Sequence, residues 1–330
     1  MTVKWIAPAT EGVMMRITNC NFILILFVLE LCAAPNSMCA ATVTDRTAEA
    51  PRPPRTTALA ASNYAHAEWL VDAIWLQAHL NDPNVKVIAL MGSSEFKSGH
   101  IPGAAQIDWP ALGLADTSAS SITRWQADIE QKLSRLGISQ SDTVVIYDDG
   151  TLYAARLWWI LDRLGHRDKR ILNGGLVAWM NARGKIEKGT FTNHRHTQAY
   201  KSSPSADALA TLDDVKSVLE DPNVVLIDAR TPAEYAKGHI PGAINIPFID
   251  NAVATKPRVW KSGLDLRAMY EGAGVTPDKT IIPYCSTGVR SAATYFTLTL
   301  LGYPRVSLYT GSFDEWSRHP ELPTSIGEKP

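Results

Sequence analysis

Cysteine is scarce in this chain, with four in 330 residues. Cys20, Cys32 and Cys39 fall within the first 41 residues, and only Cys285 lies beyond them. A body with one thiol has no internal disulfide to form, so that thiol is either reactive or a buried small hydrophobe. Net charge is also nearly absent, at −1, which leaves no field to attract nucleic acid or an anionic membrane. Any anion recognition must come from a local site. Long apolar runs are missing as well. Phe22–Leu29 holds eight apolar residues, against about 20 for a spanning helix, which argues against a stable membrane span. The closest approach to a metal pattern is His194-Arg195-His196, and two histidines two apart are weak evidence. No phosphate loop is evident, so no metal and no cofactor are expected.

What is present begins with a leader. Arg16, the apolar run and the small residues of Met38-Cys39-Ala40-Ala41 read as a secretory signal peptide over residues 1–41. This predicts an exported, periplasmic protein, although Met14 and Met15 offer alternative starts. Residues 42–59, with Pro51-Arg52-Pro53-Pro54-Arg55, are polar and proline-rich and predict a disordered tether. The length allows about two domains, and 45% apolar content is ordinary for a globular core.

An internal repeat organises the remainder. Gly99-His100-Ile101-Pro102-Gly103-Ala104 recurs as Gly238-His239-Ile240-Pro241-Gly242-Ala243, an offset of 139 residues. Tyr147 and Tyr284, Leu164-Gly165-His166 and Leu301-Gly302-Tyr303, Gly174 and Gly311, and Trp179 and Trp316 all match at an offset of 137. Near-constant register over several blocks means two copies of one domain. In the second copy, Thr211 starts a helix with an acidic residue three positions on, and Val224–Ile227 is a β-branched strand. Strands at Ile244–Ile246, Thr280–Tyr284 and Val306–Leu308 alternate with helices at Leu264–Tyr270 and Ser291–Leu301. That order predicts an α/β fold: two tandem domains, each a parallel β-sheet flanked by helices on both faces. The boundaries read as 60–184 and 209–325, with a solvated linker over 185–208.

Cys285 follows the strand Thr280–Tyr284 and opens the loop Cys285-Ser286-Thr287-Gly288-Val289-Arg290. In parallel sheets ligands bind where strands end and helices begin. Converging N–H groups and the helix dipole there favour the nucleophilic thiolate. Gly288 permits a tight turn. Arg290 either grips an anion through paired N–H bonds or braces its own helix. For Ser286 and Thr287, donor contact and loop capping are equally open. His100 and His239 invite a general-base reading, but their motif is in both copies and the cysteine in one, which suits a structural turn. Asp228-Ala229-Arg230 reads as an ion pair pinning a strand end, and the matching stretch Ala89-Leu90-Met91 lacks it. Trp158, Trp159, Trp179 and Trp316 read as helix and interface core.

These blocks, together with Leu172-Asn173-Gly174-Gly175 and Ala154–Trp159, resemble the tandem-domain rhodanese family of thiosulfate and 3-mercaptopyruvate sulfurtransferases, over about residues 60–320. The resemblance implies that the second domain is catalytic and the first inactive. Asp148 stands at the position matching Cys285 and cannot carry a sulfane sulfur. It further implies that Cys285 takes sulfur as a persulfide. Backbone N–H groups of Ser286, Thr287, Gly288, Val289 and Arg290 would stabilise it, and Asp228, Arg230 and His239 would be structural neighbours. The implied partners are a small-molecule sulfur donor and a thiol or cyanide acceptor, including a thioredoxin-like protein; the tandem arrangement favours a monomer. Thiosulfate is the preferred donor, because Arg290 ends the loop and the stretch around Glu234 lacks the arginine that mercaptopyruvate enzymes use. Alternatives are mercaptopyruvate as donor, a persulfide relay or sensing module with a protein acceptor, and a phosphatase. The related cysteine-dependent phosphatases use Cys-x5-Arg, one residue longer than the Cys-x4-Arg loop of this chain.

Overall fold

The computed structural model describes residues 63–190 and 199–330, all within one compact unit that runs from Pro54 to Pro330. The expected signal peptide and tether, Cys20, Cys32, Cys39, His194 and His196 lie outside the described residues. No helix among the described residues is long and apolar enough to cross a membrane.

The first domain runs β1 (Leu70–Val71), α1 (Ala73–His79), β2 (Val85–Leu90), α2 (Ser93–Ser98), β3 (Ala105–Ile107), α3 (Ala119–Arg135), β4 (Thr143–Tyr147), α4 (Ala154–Arg163), β5 (Asp168–Leu172) and α5 (Gly175–Asn181). Its strands form one parallel sheet in the order β1-β5-β4-β2-β3. The second domain repeats the sequence of elements. They are β6 (Leu209–Ala210), α6 (Leu212–Ser217), β7 (Val224–Asp228), α7 (Pro232–Lys237), β8 (Ile244–Asn245), α8 (Gly263–Gly272), β9 (Thr280–Tyr284), α9 (Ser291–Leu300), β10 (Leu308–Tyr309) and α10 (Ser312–Trp316). Thr211 caps α6 through the reciprocal Thr211–Asp214 bonds that its sequence predicts.

The second sheet is divided into β8-β7-β9 and β10-β6, joined by a bridge between Ile281 and Val306. Proline explains the division. Ile281 exchanges both of its hydrogen bonds with the β10 side, to Arg305 and from Ser307. The next residue facing that side is Pro283, which has no N–H to continue the ladder. Its counterpart Ile146 pairs normally with Ile171.

Each sheet is covered on both faces. Period-two alternation sends Val87 and Ala89 toward α1, α2 and α5, while Ile88 and Leu90 face α3 and α4. In the second domain Ile282 and Tyr284 face α6 and α10, and Ile281 faces α8 and α9. The faces carrying α3, α4, α8 and α9 share one continuous core across both domains. Phe296 of α9 lies at its centre, edge-on to Trp158 at 4.9 Å and to Trp260 at 5.1 Å. Tyr295 donates to Asp162 of α4 at 2.7 Å.

Most described residues of the linker are exposed, and it is tied to the first domain at a few points. Tyr200 is buried against the first domain with its hydroxyl on His166 at 3.1 Å, and the N–H groups of Ser203 and Ser205 donate to Leu164 and Arg163.

Phe296→Ala should cost about 3–5 kcal/mol, the usual penalty for emptying a buried aromatic site. Because the core is shared, urea denaturation followed by tryptophan fluorescence and circular dichroism should show one transition at a lower midpoint. Two separated transitions would contradict a common core.

Candidate active site

Cys285 stands at the carboxyl end of β9, the central strand of the second domain, and is 1% exposed. Residues 286–290 then bend without a hydrogen-bonded turn. Among the described residues the N–H groups of this bend find no backbone acceptor. Gly288 has φ +78°, and a Cβ there would lie 2.6 Å from the Thr310 carbonyl oxygen. Only glycine fits both demands.

The start of α10 closes over the loop. Phe313 and Asp314 donate backbone N–H groups to the carbonyls of Cys285 and Ser286, both at 3.0 Å. Ser312 takes φ +59°, a left-handed conformation that costs a side-chain-bearing residue on the order of 1–3 kcal/mol. Its hydroxyl is used on both sides, accepting from the Cys285 N–H at 3.1 Å and donating to the Tyr309 carbonyl at 2.9 Å. The matching residue in the first domain is Gly175, at φ +56°. The register of the repeat was thus the available signal for Ser312, which motif reasoning missed.

Arg290 is not free to grip an anion with its whole fork. Nη1 and Nη2 donate to Glu234 at 2.8 and 2.7 Å, and Nη2 also reaches the Ser286 hydroxyl at 2.8 Å. The anion that its loop position called for is therefore supplied by the protein. Glu234 is itself fixed in a capping box with Thr231 at the start of α7. The Arg290 hydrogen bonds hold its carboxyl at about 2, well below the usual 4.5. The same bonds raise Arg290 in turn, with charge on Cys285 a further cause. Ser286 thus serves as a contact for Arg290, while Thr287 is exposed and Val289 buried.

A second guanidinium arrives from the first domain. Arg156 of α4 is fully buried and donates from Nη1 to the Gly288 carbonyl at 3.3 Å and to Thr310 Oγ1 at 2.8 Å. Its Nη2 donates to the Leu112 carbonyl at 3.0 Å. Burial lowers it to about 10, opposed by charge on Cys285. An arginine in the otherwise apolar segment Ala154–Leu161 was the signal that sequence reading left unused.

The remaining expected residues brace the site. Asp228 and Arg230 form a buried pair, with Arg230 Nη2 on Asp228 Oδ2 and on the Gly238 carbonyl, each at 2.6 Å. The Arg230 guanidinium also lies over the Phe313 ring. His239 places Nδ1 3.0 Å from the Tyr235 carbonyl and stacks on that ring, as His100 does with Phe96. The hydroxyls of Tyr284 and Tyr147 accept the Ile240 and Ile101 N–H groups, both at 3.1 Å. In the first domain, Asp148 is turned into its own loop, accepting from the Gly150 and Ala154 N–H groups at 2.7 and 2.8 Å. Burial raises its carboxyl above the usual range in spite of these bonds. That loop takes positive φ at Gly150 and Leu152, so it is not a second cradle of the same shape.

Two copies of one parallel α/β domain, with one cysteine loop among the described residues flanked by two guanidinium groups, define a tandem two-domain α/β protein. The Rhodanese-like domain family model matches residues 72–182 and 211–319, and the chain belongs to the tandem-domain rhodanese family of sulfurtransferases. It is 36% identical over 289 residues to the sulfur carrier protein TtuD of Thermus thermophilus, covering 81% of this chain and 99% of that one. It is 34% identical over 265 residues to a thiosulfate sulfurtransferase of Pseudomonas aeruginosa, covering 76% and 94%. With a 3-mercaptopyruvate sulfurtransferase of Escherichia coli it shares 30% over 277 residues, covering 77% and 97%. Among solved structures, the anaerobic ergothioneine biosynthesis enzyme of Chlorobium limicola, in complex with trimethyl histidine, has a TM-score of 0.72 at 25% identity, covering 80% and 71%.

Because the folded-state carboxyl of Glu234 sits near 2 and its ordinary value is 4.5, its pairing stabilises the fold fully above pH 4.5. That contribution is lost as pH falls toward 2. Glu234→Gln should therefore lower the melting temperature at pH 7, and the gap to the parent protein should close in thermal melts below pH 4. A gap that stays constant down to pH 3 would mean that the ion pair is not its source.

Proposed function

We propose that this sulfurtransferase draws sulfane sulfur from thiosulfate, holds it as a persulfide on Cys285 and passes it to a thiol, cyanide or a thioredoxin-like protein. The observation that carries this reading is one buried thiol at the head of a loop whose N–H groups lack backbone acceptors, with Arg156 and Arg290 in electrostatic reach. The Cys285 thiolate attacks the outer sulfur of thiosulfate. A new S–S bond forms, the old one breaks, and its electron pair leaves on sulfite. The terminal sulfur then carries the negative charge, and the loop N–H groups and the two guanidinium groups are suited to it. An acceptor nucleophile takes that sulfur and returns the thiolate.

Two features support thiosulfate over the alternatives. The stretch Thr231–Tyr235 carries Glu234 and no arginine where a donor carboxylate would need a cation, which disfavours 3-mercaptopyruvate, while the Arg290 fork, occupied by Glu234, favours neither donor. The occupied fork and the short loop also disfavour a phosphate monoester. A relay to a protein acceptor is favoured by one observation: Cys285 is the single cysteine among the described residues, so no second thiol there can resolve the persulfide. The similarity to a protein named a sulfur carrier points the same way.

Mass spectrometry after thiosulfate treatment should find one added sulfur on Cys285, absent from Cys285→Ala. No adduct would overturn the mechanism. Comparison of kcat/KM for the two donors should favour thiosulfate. p-Nitrophenyl phosphate should not be hydrolysed; turnover lost in Cys285→Ser would restore the phosphatase reading.

A further inference from the structure

Among the described residues three arginine and lysine side chains are buried, Arg156, Lys169 and Arg230, and two of them have carboxylate partners. Arg230 is held by Asp228 and Lys169 by Asp162 at 2.9 Å. Arg156 is more buried than either of them, yet among the described residues its three acceptors are all neutral. Its Nε has no hydrogen-bond partner. The face of Trp159, 4.7 Å from the guanidinium, offers only a partial counter-charge. A buried cation without an anion is costly, and most such groups are paired. Its bonds to Gly288 and Thr310 set it against the Cys285 loop.

The repeat makes this placement pointed. Arg156 on the first domain's loop helix corresponds to Ala293 on the second domain's loop helix. The unarmed domain therefore sends a cation toward the armed loop, and no cation is returned from the matching position. We infer that Arg156 is a positioning residue supplied by the first domain, whose buried positive charge sits behind the Cys285 loop and stabilises the anionic sulfur there. It acts through Gly288 and Thr310, to which it is bonded, and through its field, which bulk salt screens little at such depth. This deepens the sulfur-transfer reading and rests on Cys285 as the sulfur-bearing residue. It also gives the catalytically silent domain a direct part in the chemistry.

The test is alkylation of Cys285 in the full chain by iodoacetate, an anion, and by iodoacetamide, its neutral analogue. The ratio of the two rates cancels the fraction of thiolate and reports the local field. It also needs no sulfur transfer, so it stands apart from the persulfide assay. Arg156→Gln should lower the iodoacetate-to-iodoacetamide ratio about fivefold or more, and reduce kcat for thiosulfate more than it raises KM. Arg156→Lys, which keeps the charge and loses the fork, should hold the ratio near that of the parent protein. A folded Arg156→Gln with an unchanged ratio would overturn the proposal. Should that variant not fold, Arg156→Lys decides alone: a preserved ratio supports the field, and a ratio reduced fivefold refutes it.

Discussion

The helices that leave the two loops, α4 and α9, pack on each other, and the rest of the molecule depends on that contact. Trp158, Trp159 and Phe296 place large apolar surfaces at their crossing, worth more than any polar contact nearby. Once these helices are fixed, the carboxyl ends of β4 and β9 are fixed with them. So are the loops that follow. The same contact brings α4 close enough for Arg156 to reach Gly288 and Thr310. Removing the first domain would uncover half of a core and also withdraw a side chain from the back of the cysteine loop.

Comparison of the two copies shows how one scaffold carries a thiol and the other a carboxylate at the matching position. Both keep the tyrosine that holds the histidine turn and the histidine that stacks on its own helix. These are matters of chain path and have no reason to differ. The differences cluster around the loop. Asp148 replaces the thiol and spends its carboxylate on its own N–H groups. Gly175 stands where Ser312 ties down the Cys285 N–H, and Tyr153 where Arg290 pairs with Glu234. Glu95 is retained opposite Glu234, but Ala89 and Met91 replace the Asp228–Arg230 pair. A side-chain amide braces the strand end in both copies, Gln106 donating to the Met91 carbonyl at 2.7 Å and Asn245 to the Asp228 and Arg230 carbonyls at 2.8 and 2.9 Å.

Much of this was legible from residues alone. The parallel sheets follow from short β-branched runs alternating with helices, and the boundaries of β7, β9 and α9 fall within a residue of expectation. Pro283 was included in a strand without its consequence, the break in the ladder toward β10. The Cys285 loop was readable because its chemistry is contiguous. Arg290 was read either as facing an anion or as bracing its own helix, and it faces an anion. Its identity, Glu234, lies 56 residues away and could not be taken from the loop.

The sequence by itself determined the duplication, the α/β order, the position of the one thiol among the described residues and the length of the loop behind it. Each of these is a local pattern, set by spacing along the chain. Tertiary structure alone decided that Arg290 is engaged by Glu234, that Ser312 is held in a left-handed conformation against Cys285, and that Arg156 reaches the loop from 132 residues away. These pairings depend on how helices cross and how far a side chain extends from them. No periodicity encodes that geometry, because it arises only when the two domains close on a common core.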